Sequence, residues 1–167
     1  AINDLKDGLQ QDKPVAMSWI YTQQPIQILD AVYTLSHAKS KADIQKGVSL
    51  IAAPGLNVMY GDAKGNVAWW ATGKLYKHSP GVNPNFILNG ASGKDDIKEY
   101  LDFAKNPSAV KPTWNYVYSA NNQPEAVDGV LYPGYYVPAD RAERITQLLK
   151  PKSNWHKAAV GKMTFDN

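Results

Sequence analysis

Apolar and polar positions along this chain change period several times, which predicts helices and strands in mixed order. Val15-Ala16-Met17-Ser18-Trp19-Ile20-Tyr21 is rich in apolar and aromatic residues and predicts a strand. Pro25 stands where a first helical residue tolerates proline, and Ile28, Leu29, Val32 and Leu35 follow at helical spacing. Ser40 with Asp43 three residues on has the pattern of a helix N-cap. Ile44, Val48 and Ile51 then form the stripe of a second helix, ended by Pro54-Gly55. Leu56, Val58 and Tyr60 alternate with Asn57, Met59 and Gly61, the turn is Asp62-Ala63-Lys64-Gly65, and residues 66–72 return. Large groups on both faces of this hairpin predict cover on both sides.

Beyond Gly73 the pattern breaks. Pro80, Pro84, Pro107 and Pro112 punctuate residues 73–113, within which 95–104 predicts one short helix. An irregular stretch of this length is uncommon unless it carries function or packs on a neighbour. Residues 114–120 resume as a strand. Pro138 opens a helix running to Lys150, with Ala142, Ile145, Leu148 and Leu149 inward and Pro151 as the stop. Ser153 is the expected cap of a last helix bearing Trp155, Ala159 and Met163 on its apolar face. The fold class that follows is α+β, with antiparallel strands and flanking helices in a single domain over 1–167.

Composition narrows the function classes. With 167 residues and 44% hydrophobic content, the chain can bury a core and is not disordered. No apolar run is long enough to span a membrane. Residues 1–7 have neither the charged start nor the apolar centre of a signal peptide. The formal charge of +3 is spread among interleaved acids, which disfavours nucleic acid. The absence of cysteine excludes disulfides, thiolate catalysis and zinc ribbons. His37, His78 and His156 lack partners at metal spacing and read as surface or capping residues. No G-x-S-x-G, H-E-x-x-H or phosphate-binding loop occurs. Ten tyrosines and five tryptophans alternate within the expected strands, which favours core packing over stacking on sugars or bases.

Candidate chemistry lies in two segments. Ser119-Ala120-Asn121-Asn122-Gln123-Pro124 puts an amide pair at a strand end, where alternation sets Asn121 on the face of Val117 and Ser119. A fixed side-chain amide there can donate to a developing oxyanion, and losing one such donor costs about 2.7–4 kcal/mol. Equally, the pair could end the strand and bond its own loop. Ala139-Asp140-Arg141-Ala142-Glu143-Arg144-Ile145 then opens a helix. Arg141 offers five fixed donors, or could pair with Glu143 or Asp140, while Arg144 reads as structural.

Taken in order, these segments resemble the penicillin acylase family of N-terminal-nucleophile hydrolases, which cleave linear amides. The hairpin Pro54-Gly55-Leu56-Asn57-Val58-Met59-Tyr60-Gly61-Asp62-Ala63-Lys64-Gly65-Asn66-Val67 is similar to a family stretch running Pro, Asn, apolar residues, Ala-Asp, then Gly-Asn-Ile. Gly61 replaces its Ala and Val67 its Ile. Leu88-Asn89-Gly90 resembles the family's Leu-Pro-Gly, and Lys111-Pro112-Thr113-Trp114-Asn115 departs from its Asn-Pro-x-x-Gly. The series runs from Val15 to Asn167 and resembles a middle segment of the beta subunit.

That resemblance implies part of a four-layer αββα fold with two antiparallel sheets. It implies an amide hydrolase that works through an acyl-enzyme on an amino-terminal Ser freed by self-cleavage. The α-amino group of that Ser would act as base, with a pKa of about 8. Asn121 would serve as oxyanion donor, and Arg141 would support the nucleophile's hydrogen-bond network. Implied substrates are penicillin-type or N-acyl homoserine lactone-type amides, in antibiotic metabolism. Implied partners are the rest of the beta subunit and the alpha subunit, in the periplasm or secreted, with open strand edges that could also recruit a second copy. Ala1 has no hydroxyl, and Ser153-Asn154-Trp155 has one Asn too few and lies downstream of the amide pair. The nucleophile is thus expected outside this chain, and the isolated chain is expected to be inactive. No cofactor is required. A structural calcium near Pro84 and Asp128 is a lesser expectation, since about six to eight oxygens are needed. The competing function is a self-contained, aromatic-rich binding or interaction domain with closed strand edges.

Overall fold

A computed structural model of the chain describes residues 15–132 and 134–166. The elements in order are α1 (Ile20–Gln23), α2 (Ile28–Ser36), α3 (Lys41–Ser49), β1 (Asn57–Gly61), β2 (Val67–Ala71), β3 (Tyr76–Lys77), β4 (Glu99–Tyr100), a 3-10 turn (Phe103–Lys105), β5 (Ser108–Val110), α4 (Asp140–Leu149) and α5 (Lys157–Met163). Helices mix with antiparallel strands, as the α+β expectation has it. They fall into two compact units, one of residues up to Pro54 with Gly73–Phe103, the other of Gly55–Thr72 with the chain from Ala104.

In the first unit, α2 and α3 form as their spacing predicts. Ser40 caps α3: its Oγ accepts from the Asp43 N–H at 3.2 Å and donates to the Asp43 carboxylate at 2.8 Å. That bond, with the Lys39 N–H, holds the Asp43 carboxyl below its usual pKa. Gly47 is buried against Leu35 of α2, and Ala31 and Val48 are fully buried. α3 stops at Ser49, short of Pro54. The outer face of α2 is bare, with Leu29 82% exposed and Val32 and Tyr33 also open.

Two expectations fail in this unit. The strand over 15–21 is absent: 15–19 join no ladder, and Ile20–Gln23 closes one helical turn. The Thr22 N–H and hydroxyl both donate to the Trp19 carbonyl, a local solution taken where no strand partner is at hand. The helix over 95–104 is also absent. Glu99–Tyr100 instead pairs antiparallel with β3, Tyr76 opposite Tyr100, their rings edge-on at 6.4 Å. This pairing carries Leu75 and Leu101 into the interior, the Leu101 N–H on the Leu75 carbonyl.

In the second unit the predicted hairpin forms, its register running from Asn57 opposite Ala71 to Gly61 opposite Val67. Asp62 organises the turn: it accepts from the Lys64 and Asn66 N–H groups, the Asn66 side chain and the Tyr60 hydroxyl. The return to β2 therefore rests on one carboxylate. β5 adds on the far side of β2, giving the order β1-β2-β5. Central β2 buries Ala68, Trp70 and Ala71, whereas edge strand β1 leaves Met59 half exposed, so the expected cover on both faces holds for β2 alone. Thr72 and Asn106 are buried polar residues that serve this sheet: the Thr72 hydroxyl accepts from the Leu56 N–H, and the Asn106 amide donates to the Ala71 carbonyl.

Two further corrections belong here. Residues 114–120 form no strand, since no neighbouring strand lies along them among the described residues. α5 is capped by His156, whose Nδ1 accepts from the Ala159 N–H at 3.3 Å, rather than by Ser153. Trp155 lies ahead of that helix, its indole N–H on the Lys152 carbonyl. Among the described residues no helix is long and apolar enough to cross a membrane.

Candidate functional site

The amide pair ends the unpaired run at Ala120, which is fully buried. Asn121 has φ +58°, a left-handed conformation that asparagine tolerates better than most residues. Its carbonyl accepts from the Val137 N–H at 2.9 Å, and Asn122 bridges to Val137 in parallel. Backbone geometry and this bridge aim Asn121, not strand alternation. Pro138 then follows Val137 and leads the chain into α4.

That entry brings the two predicted site residues together. Arg141, in the first turn of α4, donates from Nη2 to Asn121 Oδ1 at 2.5 Å. Arg141 does not pair with Asp140 or Glu143, and Asn121 bonds across to Val137 and Arg141. With Oδ1 engaged by a cation, the amide NH₂ is the end left to donate outward. A guanidinium on the carbonyl also draws electron density from the amide and strengthens its N–H dipoles. Both side chains are exposed in this chain.

Arg144, one step on, has a structural task. Its Nε and Nη2 clasp both oxygens of Asp166 at 2.6 and 2.8 Å, which depresses the Asp166 carboxyl pKa and raises that of the guanidinium. This fork ties α4 to the residues that follow α5.

Beside Asn122 lies an open groove of about 400 Å³ with aromatic walls, including Trp69, Trp114 and Tyr116. The Trp69 indole is fixed by its bond to Asn57 Oδ1 at 2.7 Å. Tyr118 was not singled out from sequence, yet it reaches α4, its hydroxyl accepting from Thr146 Oγ1 at 3.2 Å. Val137, the residue ahead of Pro138, completes the bridge that orients Asn121.

The remaining candidates serve structure. His37 Nδ1 lies 2.9 Å from the Tyr33 carbonyl at the end of α2, and His78 Nδ1 lies 2.9 Å from the Asp95 carbonyl. With His156 these are capping and loop-fastening roles. Pro84 lines a hollow of about 530 Å³ in the first unit, whereas Asp128 belongs to the second and is ion-paired with Lys105. Among the described residues no group of three or more acids or histidines could hold a metal ion.

An amide pair held by a helix-borne arginine thus lies on an α+β scaffold with antiparallel strands. A model of the penicillin amidase family matches residues 2–167, and the chain belongs to that family. Penicillin G acylase of Escherichia coli is 33% identical over 101 residues, which cover 58% of this chain and 12% of that protein. The solved structure of thermostable penicillin G acylase from Alcaligenes faecalis, in orthorhombic form, superposes with a TM-score of 0.67 at 19% identity, over 83% of this chain and 25% of that one. The chain thus spans a small part of the length of these relatives.

Proposed function

We propose that this chain is part of an amide hydrolase and supplies the oxyanion arm of its active site. The hydrogen bond from Arg141 to Asn121 Oδ1 carries the proposal, because it leaves the Asn121 NH₂ directed away as a donor. In the reaction, an amino-terminal Ser hydroxyl on a segment outside these residues attacks the carbonyl carbon of a linear amide. The serine proton passes to its own α-amino group and then to the leaving amine. The carbonyl oxygen gains the negative charge, and Asn121 donates to it. Collapse expels the amine and leaves an acyl-enzyme, which water cleaves to the acid. Family membership supports the hydrolytic reaction class, and penicillin-type or N-acyl homoserine lactone-type amides are the substrates proposed, in a periplasmic or secreted enzyme. Among the described residues no strand pairs with the outer edge of β1 and the run before Asn121 is unpaired, which weighs against a closed, self-contained binding domain.

The test is Asn121→Ala in the full-length enzyme. The expected fall in kcat is about 100- to 1000-fold, or about 2.7–4 kcal/mol, with KM and circular dichroism little changed. Arg141→Gln should lower kcat less, and adding it to Asn121→Ala should cost almost nothing more, since both act through one donor. Unchanged turnover in Asn121→Ala would remove that residue from the mechanism.

A further inference from the structure

Leu88-Asn89-Gly90 stands where the family stretch that it resembles has Leu-Pro-Gly, so this chain carries a side-chain amide at a place where proline has none. Of its asparagines only Asn89 is followed by glycine. That order permits a reaction internal to the chain. The backbone nitrogen after an asparagine can attack the side-chain carbonyl carbon and close a five-membered ring. A side chain on that next residue crowds the nitrogen and restricts the backbone angles that the ring needs, and glycine has none.

The local geometry favours the attack. Asn89, Gly90 and Ala91 are exposed and lie outside helices and ladders. Asn89 Oδ1 accepts from the Ala91 N–H at 3.2 Å, an Asx turn that folds the side chain back across the Gly90 peptide. The same bond draws electron density from the carbonyl and leaves Cγ more electrophilic. The Gly90 N–H donates to the Leu88 carbonyl at 3.1 Å in a three-residue turn, so no ladder or helix holds it. A Cβ at Gly90 would meet nothing within 4 Å, so that side of the peptide is open to water. Asp95 Oδ2, accepting from the Asn89 N–H at 2.9 Å, fixes the start of the turn. Asp128-Gly129 is the contrast. An ionised carboxylate is a poor electrophile, Asp128 is paired with Lys105, and two backbone bonds between Val127 and Val130 close its turn.

We infer that Asn89 is a site of self-modification, converting to aspartate and isoaspartate through a cyclic imide with Gly90. Hydroxide takes the Gly90 amide proton, and the nitrogen bonds to Asn89 Cγ. The Cγ–Nδ2 bond breaks, and ammonia leaves with a proton returned from water. A second water then opens the imide. Cleavage of its bond to Cγ gives aspartate on the ordinary backbone. Cleavage at the α-carbonyl leaves the main chain running through the β-carboxyl, one methylene longer. Either product lowers the formal charge of +3 by one and puts the new carboxylate beside Asp95, which lines the hollow bordered by Pro84. None of this depends on Asn121 or on amide hydrolysis.

The test is incubation of the full-length protein in heavy-oxygen water, then proteolysis in ordinary water and mass spectrometry, so that only conversion in the folded protein carries the label. Peptides spanning Asn89 should show the exchange of NH₂ for OH with one heavy oxygen, and should separate into two products of equal mass. Conversion at Asn89 should exceed that at the other asparagines by about tenfold or more, and should quicken as pH rises. Gly90→Ala, for which there is open space, should slow it by about tenfold with circular dichroism unchanged. An Asn89 that stays intact in the folded protein would overturn the inference. So would conversion no faster than at Asn85, or no faster than in Gly90→Ala.

Discussion

At the scale of single residues, two close approaches decide how far the core can change. A Cβ at Gly47 would lie 2.7 and 2.8 Å from the Leu35 side chain, nearer than real contacts allow. Replacing glycine by alanine inside a helix gains about 1 kcal/mol of propensity, whereas overpacking a helix contact costs about 1–3 kcal/mol. Gly47→Ala should therefore lower the urea midpoint, and Leu35→Ala in the same chain should recover part of the loss; a raised midpoint in the single variant would contradict this packing. The Tyr132 hydroxyl is the opposite case. It is buried without a hydrogen-bond partner among the described residues, which pushes its pKa well above that of free tyrosine through desolvation. A Cβ at Gly55 would meet this oxygen at 3.0 Å. Tyr132→Phe removes an uncompensated polar atom and should leave thermal stability unchanged or raise it. Gly55→Ala should be better tolerated in that background than alone.

At the scale of elements, the hairpin turn gives a pH signature. Hydrogen bonds from the Asn66 side chain and N–H, then from Tyr60 and Lys64, hold the Asp62 carboxyl far below its unfolded value of about 3.9. A depressed folded pKa means stability that is present above about pH 4 and lost as acidification carries the group through its folded value. The difference in urea midpoint between wild type and Asp62→Asn should hold steady from pH 5 to 8 and shrink on acidification below about pH 4. A difference that grew on acidification would remove Asp62 from this role. The same turn explains why the hairpin was legible in sequence: its signal is local, carried by Asp62 and Gly65. α2, α3 and α4 were legible for the same reason, through Ser40, apolar spacing and the flanking prolines. Residues 15–21, 95–104 and 114–120 depart from their sequence pattern because a strand exists only with a partner, and a short apolar run does not say whether one is there. The site was half legible. Asn121 and Arg141 stood out as residue types in order, but their hydrogen bond depends on a left-handed φ and on Val137, which no period reports.

At the scale of the whole molecule, hydrolysis is expected to need more than this chain. The 167-residue chain alone should show no titratable turnover of a phenylacetyl amide or of an N-acyl homoserine lactone, and specific turnover by it would place the nucleophile within it. The two units also interleave, each drawing on two separated stretches of sequence. That has a consequence on the ribosome. Trp69 emerges about 40 residues before Ala109, its ladder partner in β5. At roughly 5–20 residues per second, β2 spends some 2–8 seconds of synthesis with one edge bare. Throughout that interval the nascent hairpin offers neighbouring polysome chains an adhesive margin.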